Sequence, residues 1–464
     1  MLSIRSGLHL CGYSLYLTCA FLVRPIPLPA LFLLGKALGL FASFFLRRRR
    51  LLAVSNLKTS LRLNKTDAQK LARQHFMNLG ANILCMLKVP SMSDATVWRH
   101  VTFEISPQVS QQAAGKGLIA VLAHMSNWEL LARLSRLFPQ HRFGAIYQKL
   151  ANANVNQHFN KSRARMGITL FDRKEGFWNA VSFLESGGVL GVLADQYAGV
   201  SGTWMPFFNR LTSTSTLAAA LAQRVGVEIV PVVITTTGLA RWHVVVGNPL
   251  GKGDSPESMT ATINQELERQ ITASPADWLW SHDRWKTPHF GFLLTASKRR
   301  VFVPPRFHHA QLVPYRIVVR SVDDPTEAKL TIPAVQAIKR GRPDVHLTIV
   351  TTELLATLWK TVVEVDEVLS FSPNETPLRV ARTIARSGPY DVGVLLSAKS
   401  RSALEMLLAG VPYRLGPPAR FFLNTWRNPP GQSDPESQGA ERYQRIVAAT
   451  GAAIQERSLP ADTH

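Results

Sequence analysis

At 464 residues the chain is long enough for two or three domains with sizeable cores. A hydrophobic content of 46 % excludes a largely disordered protein. The 53 Lys plus Arg against 31 Asp plus Glu, a formal net charge of +22, call for an anionic partner: nucleic acid, a lipid surface or an acidic carrier protein. The three cysteines, Cys11, Cys19 and Cys85, lie in apolar segments and form neither a disulfide framework nor a metal-ligand spacing.

The first 46 residues carry no acidic side chain. "LHLCGYSLYLTCAFLV" (8–23) and "PALFLLGKALGLFASFFL" (29–46) are apolar runs, the second interrupted by Lys36 and followed by "RRRR" (47–50). A spanning helix needs roughly 20 apolar residues, so both runs are borderline. A basic cluster after the apolar run is the pattern of a cytoplasmic membrane boundary, whereas a signal peptide carries its charge in front. The reading is a retained membrane anchor over 1–50; a buried helical hairpin is the alternative.

Residues 51–95 have apolar positions at threes and fours and predict helices. From 117 the texture changes. "GLIAVLA" (117–123), "FGAIYQ" (143–148), "GVLGVLAD" (188–195) and "EIVPVVITTTG" (228–238) read as buried strands. Between them lie longer amphipathic stretches, "NWELLARLSRLF" and "NANVNQHFNKSRARMG", an alternation that predicts an α/β layer structure over 51–295. A Pro- and Arg-containing stretch (296–314) reads as a linker. A second α/β pattern then begins. "YRIVVRS" (315–321) and "VHLTIVTT" (345–352) predict strands flanking a helix that opens near 329, and "YDVGVLLS" with "ALEMLLAG" repeats strand then helix. Residues 315–455 therefore read as a Rossmann-like half, with a disordered tail at 456–464.

"HMSNWE" (124–129) follows the first buried run. On one helix a five-residue separation would put His124 and Glu129 about 140° apart, so they meet only if the histidine ends the strand and the glutamate opens the next helix. A carboxylate on one imidazole nitrogen fixes the tautomer and frees the other nitrogen as a base. By spacing alone, a polar loop capping a core strand is the commoner arrangement.

The surrounding residues resemble a known family. "AHMSNWELLARL" is similar to the His-x4-acid motif, in its Glu form, of the lipid A biosynthesis lauroyl- and myristoyl-transferases. In the same order follow counterparts of further family blocks: "RARMGITLFDRKEG" (163–176), "LADQYAG" (193–199), "MPFFNRLTSTSTL" and "DWLWSHDRWK". The likeness covers roughly residues 1–290. It implies transfer of a fatty acyl chain from acyl carrier protein to a hydroxyl of a lipid A precursor at the cytoplasmic face of the inner membrane. It implies His124 as base, Glu129 as its orienting carboxylate, and Arg165 or Arg163 as oxyanion donor or phosphate clamp. Asn127, Arg173, Lys174, Asp195 and Gln196 are candidate substrate contacts. Asn127 and Trp128 also shape the loop, Asp195 doubles as a possible helix cap, and Arg173 and Lys174 suit anionic substrate, membrane or plain surface charge. His282, Arg284 and Trp285 read as closing the domain. No cofactor, metal or nucleic acid is implied; His308 and His309 have no ligand partners at metal spacing.

Residues 315–448 resemble the N-terminal domain of ADP-heptose-type heptosyltransferases (glycosyltransferase family 9), through "IVVRS", "LTIPAVQAIKRGRPDVHLTIV" and "YDVGVLLSAKSRSALEMLLAGVPYRLG". Two departures matter. Thr326 and Glu327 stand where the family has Gly-Asp in the loop before the first helix, so Glu327 is a degenerate site residue. The family's second, nucleotide-sugar-binding domain has no counterpart in this sequence. The resemblance thus implies a glycolipid-binding, docking or remnant role for this half. The alternatives for the whole chain are an acyltransferase on another glycolipid or lysophospholipid, or a non-catalytic envelope scaffold.

Overall fold

The computed structural model describes residues 2–112, 117–174, 176–199, 202–251, 253–286, 301–305, 307–308, 311–342, 344–416, 439–448, 450 and 452. The expected tail, residues 296–300 of the expected linker and His309 lie outside the described residues. The fold is mixed α/β, and the chain forms two compact units. One comprises Met1–Leu46, Gln69–Gln196 and Thr214–Trp280; the other comprises Arg47–Ala68, Tyr197–Ser213 and Ser281–His464. Packing thus cuts across the boundaries drawn along the sequence, because residues 47–68 and 197–213 join the C-terminal half.

The strands in chain order begin with β1 (Val101–Ile105), β2 (Leu118–Leu122), β3 (Phe143–Tyr147), β4 (Ile168–Asp172) and β5 (Val189–Leu193). They continue with β6 (Thr203–Phe207), β7 (Arg210–Thr214), β8 (Glu228–Gly238) and β9 (Arg241–Val246). Seven of them form the first unit's sheet in the order β1-β9-β8-β2-β5-β3-β4. Its pairings are parallel except β8 with β9. β2 and β5 are central, which explains their unbroken apolar composition. They lie in full register, Leu118 opposite Val189 through Leu122 opposite Leu193. Each is preceded by a glycine, and at Gly117 a Cβ would stand 2.1 Å from the Leu184 carbonyl oxygen, so the strand can start there only without a side chain.

Four helices open the chain: α1 (Leu2–Leu22), α2 (Leu28–Phe45), α3 (Arg47–Ser60) and α4 (Lys65–Lys88). α2 is the helix among the described residues that is long and apolar enough to cross a membrane. Its two faces differ. Leu28, Leu31, Phe32, Gly35 and Gly39 are buried, and a Cβ at Gly35 or Gly39 would collide with the α4 backbone at Ala81 or Phe76. The helices therefore meet backbone to backbone, as small residues permit. Leu33, Leu34, Leu38, Phe41, Phe44 and Phe45 are exposed on α2. One face of α2 is thus buried against α4, and the other presents apolar side chains outward.

The second unit holds β10 (Tyr315–Arg320), β11 (Val345–Thr352), β12 (Glu367–Phe371), β13 (Val392–Leu395) and β14 (Tyr413–Leu415). They make a parallel sheet in the order β12-β11-β10-β13-β14. The β6–β7 hairpin belongs to this unit, where Arg210 pairs with Asp391. The first helix after β10 runs Pro325–Gly341, with Asp324 capping it by accepting a hydrogen bond from the Glu327 amide at 2.7 Å. This helix begins before position 329, where the sequence pattern places it, because Pro325 occupies a favourable first-turn position and Pro333 is accommodated further in. Thr326 and Glu327 accordingly sit in the helix and not in a loop before it. The Glu327 carboxylate accepts a hydrogen bond from the Tyr443 hydroxyl.

Candidate active site

Because β2 and β5 are parallel, adjacent and in register, the residues just past their C-terminal ends are neighbours. The Ala194 amide donates to the Leu122 carbonyl at 2.9 Å, extending the ladder one step. His124 and Asp195, each two residues beyond the Leu122–Leu193 pair, then face one another. His124 Nδ1 lies 2.7 Å from Asp195 Oδ1, and the His124 backbone amide donates to Oδ2 at 2.9 Å. The histidine side chain is 15 % exposed and the aspartate 2 %. Burial alone would raise the Asp195 carboxyl. The charge and hydrogen bonds of His124, with the Trp278 indole, outweigh that and hold it well below the usual carboxylate range.

Glu129, expected beside His124, is engaged by Arg163 instead. The glutamate lies in the first turn of the short helix Trp128–Arg133, where its carboxylate takes two hydrogen bonds from Arg163. Nη2 to Oε1 measures 2.5 Å and Nε to Oε2 3.3 Å. The imidazole is already held by Asp195, which sits squarely behind it on the neighbouring strand. Gln196 completes the set, its side-chain nitrogen 3.3 Å from His124 Nε2. The ring of Trp128 stands edge-on to the imidazole with centroids 5.1 Å apart.

Arg163 and Arg165 both close the helix Ala153–Arg165. Arg163 is brought to Glu129 and its guanidinium stacks 5.6 Å from the Phe159 ring, whereas Arg165 is exposed. Arg173 and Lys174 follow β4. That strand is three places from β2 in the sheet, so at the ordinary strand spacing they stand roughly 14 Å from the histidine's strand. Asn127 is 1 % exposed, and both polar atoms of its side chain lack a hydrogen-bond partner. Leaving such a group unsatisfied costs about 1–3 kcal/mol.

Sequence reasoning missed the support behind the loop. Trp278 donates from its indole to Asp195 Oδ2 at 2.7 Å, and its backbone bridges Met125. Next to it, Asp277 accepts from Asn78 at 2.9 Å and from the Thr236 amide at 2.7 Å. The Asp277 carbonyl accepts the Ser126 amide at 2.9 Å. Ser126 has a left-handed φ of 49°, an unfavourable backbone that these contacts hold in place. Removing the indole N–H in Trp278→Phe takes away one of the bonds keeping the Asp195 carboxyl low. We expect a roughly tenfold lower kcat with the melting temperature little changed. An unchanged kcat with a lower melting temperature would mean Trp278 merely packs.

The remaining signature residues belong to the second unit. Arg284 is fully buried, donating from Nη1 to the Ser213 carbonyl at 2.5 Å, and Trp285 donates to the Phe207 carbonyl at 3.1 Å. Their role there is to hold the β6–β7 hairpin. His282 offers its carbonyl to Asn56 at 3.3 Å.

His75 on α4 lies behind the same loop, fully buried. Burial pushes its imidazole down to about 4, against the pull of backbone hydrogen bonds at Trp278 and Ala276. Below pH 6.5 the unfolded chain takes up a proton that the native state refuses until about pH 4. Stability therefore falls as pH drops through that window, by about 3 kcal/mol in total, and is fully present above it. Chemical denaturation at pH 7 and pH 4.5 should show this loss in the native chain and a flatter profile in His75→Gln.

Comparison with known proteins adds the family. The chain is similar to the lipid A biosynthesis lauroyltransferase of Escherichia coli, 24 % identical over 273 residues, covering 57 % of this chain and 88 % of that one. It is similar to the lipid A biosynthesis palmitoleoyltransferase of the same organism, 23 % identical over 274 residues with the same coverage. Among solved structures, part of the chain matches E. coli ADP-heptose lipopolysaccharide heptosyltransferase II, with 18 % identity and a TM-score of 0.25 over 32 % of this chain and 44 % of that one. A family 9 glycosyltransferase from Veillonella parvula matches with 21 % identity and a TM-score of 0.27, over 30 % and 43 %. The chain spans less than half the length of either glycosyltransferase. Residues 5–287, well over half the sequence, match the bacterial lipid A biosynthesis acyltransferase family, and the chain is an acyltransferase belonging to that family.

Proposed function

We propose that the chain transfers a fatty acyl group from acyl carrier protein to a hydroxyl of a lipid A precursor, at the cytoplasmic face of the inner membrane, with His124 as general base. The observation that carries the reading is the His124–Asp195 pair at the ends of adjacent strands, 2.7 Å apart and backed by Trp278. Asp195 accepts Nδ1–H, which leaves the Nε2 lone pair for the acceptor hydroxyl. That hydroxyl takes the place beside Nε2 now held by the Gln196 amide. It gives its proton to Nε2 as its oxygen attacks the thioester carbonyl. The tetrahedral intermediate then collapses: the C–S bond breaks, the ester C–O bond remains, and the proton passes from imidazolium to the departing thiolate. Developing charge on the carbonyl oxygen needs donors, each worth about 3 kcal/mol. Arg163, positioned by Glu129 with one terminal nitrogen to spare, and the unsatisfied amide of Asn127 supply them.

The surplus of 22 positive charges suits both an acidic carrier protein and an anionic membrane surface. The exposed apolar face of α2, followed by Arg47–Arg50, supports attachment at the cytoplasmic side. Glu327 is engaged by Tyr443 inside a helix, which favours a structural part for the C-terminal half over sugar transfer. The test presents acyl carrier protein thioester with an equal mixture of tetra-acylated lipid A precursor and a lysophospholipid, following thiol release and product mass. Acylation of the precursor supports the reading; acylation of the lysophospholipid alone would reassign the acceptor.

A further inference from the structure

Lys36 interrupts an otherwise uncharged apolar helix. It is the ninth of the eighteen residues of α2, the position farthest from both ends. An ammonium at that depth is costly unless it faces protein or a water-filled cavity, so an ionisable group there points to a ligand. Lys36 does line a cavity, broadly open to the surface and of about 510 Å³. Leu33 and Lys36 of α2, Asn78 of α4 and residues 236–239 at the β8–β9 turn line it. The walls combine a cation, an amide and two threonines with two leucines, Leu33 and Leu239, that are about half exposed. Among the described residues Lys36 has no carboxylate partner; its ammonium lies over the Phe32 ring at 5.1 Å.

We propose that this cavity holds the phosphate of a membrane-embedded amphiphile, with Lys36 as counter-ion, Asn78 and Thr237 as hydrogen-bond partners, and the alkyl chains leaving along Leu33 and Leu239. A cation with flanking amide and hydroxyl groups suits a phosphate oxygen, and the open apolar rim excludes a wholly water-soluble ligand as the better fit. The cavity also touches the catalytic loop's support. Asn78 and Thr236 both bind Asp277, whose carbonyl holds the Ser126 amide, two residues from His124. The inference rests on α2 lying in the membrane, as proposed above.

The test is native mass spectrometry of the full chain in detergent, offered phosphatidic acid, a phosphorylated lipid A precursor, phosphatidylcholine or inorganic phosphate. One phosphorylated amphiphile should be retained per chain. Lys36→Met should weaken retention at least tenfold, and Lys36→Arg should restore most of it. Retention of phosphatidic acid names a phospholipid as the source, and retention of the precursor alone names the acceptor; both support the site. Equal retention by Lys36→Met, or retention of inorganic phosphate in place of either lipid, would overturn it. Melting temperatures check that each variant is folded. His124→Ala keeps the cavity and should bind as the unaltered chain does, and flotation with vesicles reads membrane placement without Lys36, so failure of either earlier reading is seen separately.

Discussion

Replacing His124 by alanine should lower the acyl-transfer rate by about 10²–10⁴, the contribution expected of a positioned general base, or about 3–5 kcal/mol of transition-state stabilisation. The loss should fall on kcat and kcat/KM alike, because the proposed base acts on a proton that moves only in the transition state. The substitution also leaves Asp195, 2 % exposed, without its imidazole hydrogen-bond partner. Some loss of stability accompanies the loss of rate, and His124→Gln, which keeps a hydrogen-bonding group beside the carboxylate, separates the two. A rate within a few-fold of the unaltered chain in both variants would remove His124 from the chemistry.

Asp195→Asn tests the half of the site that differs from the sequence-based expectation. The amide has nearly the shape of the carboxylate but carries no charge. Where it presents its nitrogen to Nδ1 it forces the proton onto Nε2, the atom that must be bare. In enzymes with a comparable histidine–carboxylate pair such a change costs about 10⁴ in kcat, and a loss of about 10³–10⁴ is expected here. The His124 backbone amide and the Trp278 indole both donate to Asp195 Oδ2, so the variant's fold should persist while its chemistry fails. Activity within threefold of the unaltered chain would return the orienting role to another group.

Much of this site is legible in the sequence once the strands are set side by side. "GLIAVLAH" and "GVLGVLAD" are octapeptides of one pattern, each a glycine, six apolar residues and then a polar group. Two such strands that pair in parallel and in register must bring His124 and Asp195 together, as they do. Reading along the chain favours Glu129 instead, because a nearby carboxylate is visible in a linear motif and a strand partner 71 residues away is not. Spacing does correctly require the histidine at a strand end and the glutamate in the following turn. Trp278 and Asp277 carry no periodic signal; their roles depend on a bridge to Met125 that only the folded chain forms.

The strands with long β-branched or apolar runs, such as β8 and β11, match their sequence bounds residue for residue. Short strands at the sheet edge, β1 and β4, alternate with polar residues and escape notice. "NWELLARLSRLF" has helical periodicity yet folds as a 3₁₀ segment and a single α-turn. Its backbone follows the loop that presents Glu129 to Arg163, so tertiary contact overrides propensity there. Residues 47–68 and 197–213 look continuous with the acyltransferase part, and their packing with the C-terminal half depends on long-range pairs such as Arg210 with Asp391.

The most direct measurement is the mass of a lipid A precursor after incubation with purified chain and acyl carrier protein thioester. The account predicts a gain of one acyl residue per precursor, matched by one thiol released, and no gain with His124→Ala. An unchanged precursor mass with thioesters of every chain length offered, or an equal gain from the His124→Ala chain, would contradict it.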